Sequence, residues 1–155
     1  MNKAGKLRVK TAMLKFNNSY LNVQTFPHKG ELMSALDMEL CGGHLDWQVA
    51  SSAQVIHMLR AVFSVVEHLS LEYYRYSTSS EWNNEAERTS WHELLMSFGN
   101  VKYLRVNCEL VEQLSCALQP TKGESPTELL PELHEISYST RGTLHGDVLG
   151  CGCLR

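Results

Sequence analysis

One apolar pattern recurs four times and constrains the chain more than any other feature: Met33, Leu36, Met38; Val66, Leu69, Leu71; Val101, Leu104, Val106; Leu133, Ile136, Tyr138. Each reads apolar-x-x-apolar-x-apolar, and the central residues 36, 69, 104 and 136 follow one another at steps of 33, 35 and 32. A near-constant step of this length marks one supersecondary unit used repeatedly. The alternating end of each unit reads as a short strand, because successive side chains face opposite sides and one row can point inward. Strands near Leu36 to Leu40, Leu69 to Tyr73, Tyr103 to Val106 and Glu135 to Tyr138 are therefore expected side by side, parallel and in sequence order. Val9 to Phe16 adds an edge strand with Leu14 and Phe16 inward.

Between these strands the period becomes helical. Val55, Ile56, Leu59, Val62 and Phe63 follow Ser51 and Ser52, either of which can cap a first helix. Ser90 and Glu93 form a capping box before Trp91, Leu94, Leu95 and Phe98, and Gly99 and Asn100 end that helix. A third helix covers Glu109 to Leu118, with Asn107 as its cap, and Ser125, Pro126 and Glu128 open a very short fourth one. The order implies an α/β fold, a leucine-rich-repeat-like solenoid of short parallel strands alternating with outer helices. Residues 1–139 form that single domain, with a partial N-terminal unit, and 140–155 an irregular tail. The polar linkers Tyr76 to Ala86 and Gln119 to Ser125 are loops.

A net charge of -3 and a pI near 6.1 supply no field for nucleic acid or an anionic membrane. Lys3, Lys6, Arg8, Lys10 and Lys15 all precede the first acid, Glu31. A transit segment has that acid-poor character, and an exposed strand has the alternation of Leu7 and Val9 with Arg8 and Lys10. No apolar stretch is long enough to span a bilayer and no hydrophobic signal follows the first lysines, so an intracellular, cytoplasmic or nuclear protein is expected. Cys41, Cys108, Cys116, Cys151 and Cys153 are odd in number and irregularly spaced, which points to reduced thiols. Cys41 stands eight residues after Met33, where such repeats place a buried Asn or Cys that bonds the turn backbone.

Candidate chemistry is thin. His145, Cys151 and Cys153 are too few for a zinc site, and Cys41 with His44 lacks a second half. Ser90, His92 and Glu93 point in different directions from one helix, so they cannot converge on one substrate atom; His92 reads as a solvated residue. No nucleophile elbow, phosphate loop or dinucleotide fingerprint is present. Neither an enzyme nor a cofactor is expected. Aromatics and arginine are typical anchors of binding surfaces, which makes Tyr74, Arg75, Tyr76 and Trp82 the candidate protein contacts. Trp82 lies outside any periodic face and either covers the core edge or presents a contact, whereas Trp91 has the spacing of a core residue.

The stretch LEYYRYSTSSEWNNEAERTSWHELLMSFGNVKYLRV, followed by LVEQLSCALQ and ELLPELHEISYS, resembles the C-terminal repeat region of fungal F-box-type proteins across roughly Leu36 to Ser139. The resemblance implies a leucine-rich-repeat-like horseshoe that recruits a substrate while an N-terminal F-box docks a Skp-type adaptor of a cullin ubiquitin ligase. No F-box of that kind precedes the repeats, so a Skp-type adaptor is a partner only of a longer form. The Gly-rich ending TLHGDVLGCGCLR departs from the family and resembles a truncated terminus. The expected function is a non-catalytic protein-interaction domain with an unknown protein partner. Substrate recognition within an F-box ubiquitin-ligase receptor, or a fragment without independent function, are the alternatives.

Overall fold

The computed structural model describes residues 8–74, 86–119 and 129–139. Six strands form one mixed sheet: β1 (Thr11–Asn17), β2 (Tyr20–Phe26), β3 (Leu36–Cys41), β4 (His68–Tyr74), β5 (Tyr103–Asn107) and β6 (Glu135–Ser139), in the spatial order β3-β2-β1-β4-β5-β6. The helices are α1 (Leu45–Met58), α2 (Arg60–Phe63), α3 (Arg88–Met96) and α4 (Val111–Leu118), the last preceded by a 3-10 turn. Among the described residues no helix is long and apolar enough to cross a membrane.

The leucine-rich-repeat solenoid is overturned by the first half of this sheet. β1, β2 and β3 form an antiparallel meander, with Leu14 opposite Val23 and Val23 opposite Met38. Asn17 and Tyr20 are separated only by Asn18 and Ser19, and so short a connection has no room for the crossover that parallel strands require. Asn17 Oδ1 fixes this turn by accepting from the Ser19 and Tyr20 amides at 2.8 and 2.9 Å. Leu36 therefore does not begin a parallel series: β3 is the far edge strand, and Met33, read as its leading apolar residue, is 82% exposed in the β2–β3 loop. β1 is no edge either; it lies between β2 and β4.

The second half follows the apolar spacing. β1, β4, β5 and β6 are parallel neighbours, and Ala12, Leu69, Leu104 and Ile136 share one row across them. At their starts a repeated device links the strands. The Lys10 carbonyl accepts from the amides of Glu67 and His68, that of Glu67 from Lys102 and Tyr103, and that of Lys102 from His134 and Glu135.

One face of the sheet carries the core. Leu14, Phe16, Leu21, Val23, Leu69, Leu71, Leu104 and Val106 are buried there against Leu45, Val49 and Ile56 of α1, Trp91, Leu94 and Leu95 of α3, and Leu114 of α4. α1 begins at Leu45, well before Ser51 and Ser52, which fall inside it; Ser52 is buried and its hydroxyl donates to the Val49 carbonyl at 2.8 Å. α3 likewise starts at Arg88, with Glu87 at the cap position, so Ser90 and Glu93 do not form a capping box. Asn107 does serve the third helical segment, its Oδ1 accepting from Glu109 N at 3.1 Å. Cys41 is exposed, contrary to a buried turn role, because β3 ends the sheet and nothing described covers that side. The expected helix at Ser125 and the tail after 139 lie outside the described residues.

Candidate functional site

All the helices pack on the core face, so among the described residues the opposite face of the sheet is left uncovered. Period-two alternation determines what it shows. One row runs Asp37, Gln24, Met13, Ser70, Arg105, Ser137 across six strands, and the next runs Phe26, Thr11, His68, Tyr103, Glu135. A third places Glu39, Asn22, Lys15 and Glu72 side by side.

In the meander half the acid Asp37 is held by its neighbours. Asp37 accepts from Asn22 Nδ2 at 2.8 Å and from Gln24 Nε2 at 2.9 Å. The Gln24 and Asn22 amides, assisted by Lys15, hold its carboxyl below the ordinary value. A pair of charge-assisted hydrogen bonds of this kind fixes both amides in place.

The parallel half is less satisfied. His68 stacks on Tyr103 with centroids 4.6 Å apart and planes at 11°, leaving Tyr103 42% exposed. Burial, then the positive charges of Lys29, Lys10 and Lys102, lower the His68 pKa against the opposing pull of Glu67. Glu67 is bound by Lys10 Nζ and lies 3.7 Å from Lys102 Nζ, and the Lys10 hydrogen bond is the main cause of its lowered pKa. Arg105 is exposed beside this stack, in the row of Ser70 and Ser137. The hydroxyl oxygens of Thr11 and Ser70, at the centre of the face, are buried by the side chains around them and have no hydrogen-bond partner in the structure. An exposed aromatic platform beside an exposed guanidinium is equipped to receive a side chain or an extended segment.

Of the four residues expected to make contacts, Tyr74 lies on this face, 40% exposed at the end of β4, its hydroxyl donating to Glu72. Arg75, Tyr76 and Trp82 lie outside the described residues. Tyr103, Arg105, His68 and Lys15 were missed, although each occupies the position between two inward apolar residues or next to one, which alternation assigns to the outer face.

The helix side offers less. A groove of ≈390 Å³ between α1 and α3 is lined by Ala53, Gln54, His57, Arg60, Glu93, Met96 and Ser97, with Met96 70% exposed. His92 is not a solvated residue: its Nε2 contacts the Ala117 carbonyl and joins α3 to α4. Among the described residues no group of three or more His, Cys, Asp or Glu is placed to hold a metal ion.

No family model, curated protein or solved structure matches the chain.

Proposed function

We propose that the chain is a non-catalytic protein-interaction domain whose contact surface is the uncovered sheet face, centred on Tyr103 and Arg105. The observation that carries this reading is the segregation of the fold: every described helix covers one face, and the other offers an exposed tyrosine stacked on His68 beside the exposed Arg105. Tyrosine and arginine are the residues that dominate binding energy at protein interfaces, since each pairs a large apolar body with directional donors. The meander supplies a fixed, hydrogen-bonded flank around Asp37. The partner is a protein segment laid across the strands, with an acidic side chain for Arg105 and an apolar one for the Tyr103 platform.

The experiment is affinity capture from cells that express the protein, using wild type, Tyr103→Ala, Arg105→Ala and the helix-side control Gln54→Ala. A partner retained by wild type and control and lost by both face variants supports the reading. A partner lost by Gln54→Ala and kept by the face variants moves the interface to the α1–α3 groove and refutes it.

A further inference from the structure

We infer that two copies of this chain join edge to edge through β6, antiparallel, to form one continuous sheet. β6 ends the sheet among the described residues, with β5 on its one side. The Glu135 amide donates to the Lys102 carbonyl at 3.1 Å, so Glu135, Ser137 and Ser139 turn their backbone polar groups toward β5. Ile136 and Tyr138 turn theirs outward. The apolar flank beneath is incompletely covered: Ile136 and Tyr138 are half-buried, whereas Leu104 and Val106 in the adjacent strand are 1% and 2% exposed. Leu118, Leu129 and Leu133 are half-buried at the same end. Among the described residues, backbone groups and apolar side chains thus both lack the cover that one more strand supplies.

The occupant is a second copy because this strand complements itself. A two-fold axis through Ser137 sets Ile136 opposite Tyr138 in both halves, a β-branched residue against an aromatic one on the core side. Ile136 and Tyr138 are also the residues whose N–H and C=O groups point outward, so the inter-strand hydrogen bonds fall on those same pairs. Glu135 stands opposite Ser139, and no like charges meet. The other edge is built differently. Centred on Met38, β3 paired with its own copy sets Asp37 opposite Glu39 twice; centred on Asp37 or Glu39, an acid meets itself. Directly opposed like charges destabilise a strand pair, and charged edges prevent sheets from joining. Among the described residues the sheet has one guarded edge and one self-complementary edge, and association through β6 leaves Tyr103 and Arg105 uncovered.

The test is sedimentation velocity of the purified full chain over a wide concentration range, with Ser137→Lys and Ser137→Cys alongside. Wild type is expected to pass from monomer to dimer. Ser137→Lys puts two positive charges at the dyad and is expected to raise the midpoint concentration by roughly fivefold or more, with an unchanged circular-dichroism spectrum. Ser137→Cys places two thiols at the close, non-hydrogen-bonded spacing of about 4.5 Å between Cα atoms and is expected to give a disulfide-linked dimer on mild oxidation. Wild type, with its own five cysteines, sets the background. A chain that stays monomeric at the highest concentration, including one whose residues 140–155 cover β6, overturns the inference. So does a dimer that Ser137→Lys leaves intact and Ser137→Cys fails to cross-link.

Discussion

The Phe16 ring of β1 meets the Trp91 indole of α3 edge to face, with centroids 5.7 Å apart and planes at 68°. Both side chains are fully buried, and Trp91 Nε1 also donates to Gln113 Oε1 of α4 at 3.4 Å. Trp91 therefore joins the middle of the sheet to two helices at once. Trp91→Ala is expected to cost about 3–5 kcal/mol, much of the ~5–15 kcal/mol that holds a domain together. Urea denaturation followed by circular dichroism checks this; an unchanged midpoint would contradict the packing.

Gly42 and Trp47 are matched by contact. A Cβ on Gly42 would lie 2.1 Å from Cε3 and Cζ3 of the indole, and the Gly42 carbonyl accepts from the buried Gln48 side chain. The ring is 47% exposed and can swing away, so Gly42→Ala is expected to cost about 1–3 kcal/mol, as overpacking does, rather than to unfold the chain. In a Trp47→Ala background the same substitution is expected to cost little, because the obstacle is gone. A double-mutant cycle on urea midpoints measures the difference, and additive effects would refute it.

What could be read from the sequence divides between the parallel strands and the meander. The parallel series Leu69, Leu104, Ile136 and the inward Leu14 and Phe16 were legible because strand alternation and spacing follow directly from which side chains are apolar. The meander was not. β2 runs YLNVQTF, with Leu21, Val23 and Thr25 inward, and the preceding Asn17, Asn18, Ser19 is a turn signal that went unused. The apparent first repeat at Met33, Leu36 and Met38 imitates the later ones because any half-buried strand alternates, and sequence alone does not say whether the neighbour runs parallel or antiparallel. The face proposed for contact is hard to read for a related reason. Tyr103 and Arg105 occur as the polar spaces of an apolar pattern, whereas Tyr74, Arg75, Tyr76 and Trp82 stand out as a cluster of aromatics and arginine, and of these Tyr74 shares the face.

Leu104 and Arg105 are adjacent in the chain and opposite in consequence. Leu104 is 1% exposed in the row of Leu69 and Ile136, while Arg105 projects from the uncovered face. Leu104→Asp buries a carboxylate without a partner, at a cost of several kcal/mol, and is expected to unfold the domain. Arg105→Ala is expected to change stability by less than about 0.5 kcal/mol. Thermal denaturation of both variants tests the register of β5, and a folded Leu104→Asp would require it to be shifted by one residue.

The burial of His68 makes stability depend on pH. Burial, then Lys29, Lys10 and Lys102, hold the folded His68 pKa below its ordinary 6.5, with Glu67 opposing. Between the folded value and 6.5 the unfolded chain binds more protons than the folded one, so stability rises with pH through that window. The contribution is complete above 6.5 and is lost as the pH falls. Asp37 and Glu67 act lower: their carboxyls are held below 3.8 and 4.5, so their contributions are present above those values and are lost on stronger acidification. The histidine window has its upper limit at 6.5, above the 4.5 and 3.8 that bound the carboxylate windows, so the first loss on acidification belongs to His68. Melting temperatures recorded from about pH 8 to about pH 5 are expected to fall for wild type and to fall less for His68→Gln, which cannot be protonated there. Parallel curves for the two proteins would show that His68 titrates alike in both states and that its burial does not disfavour its charge.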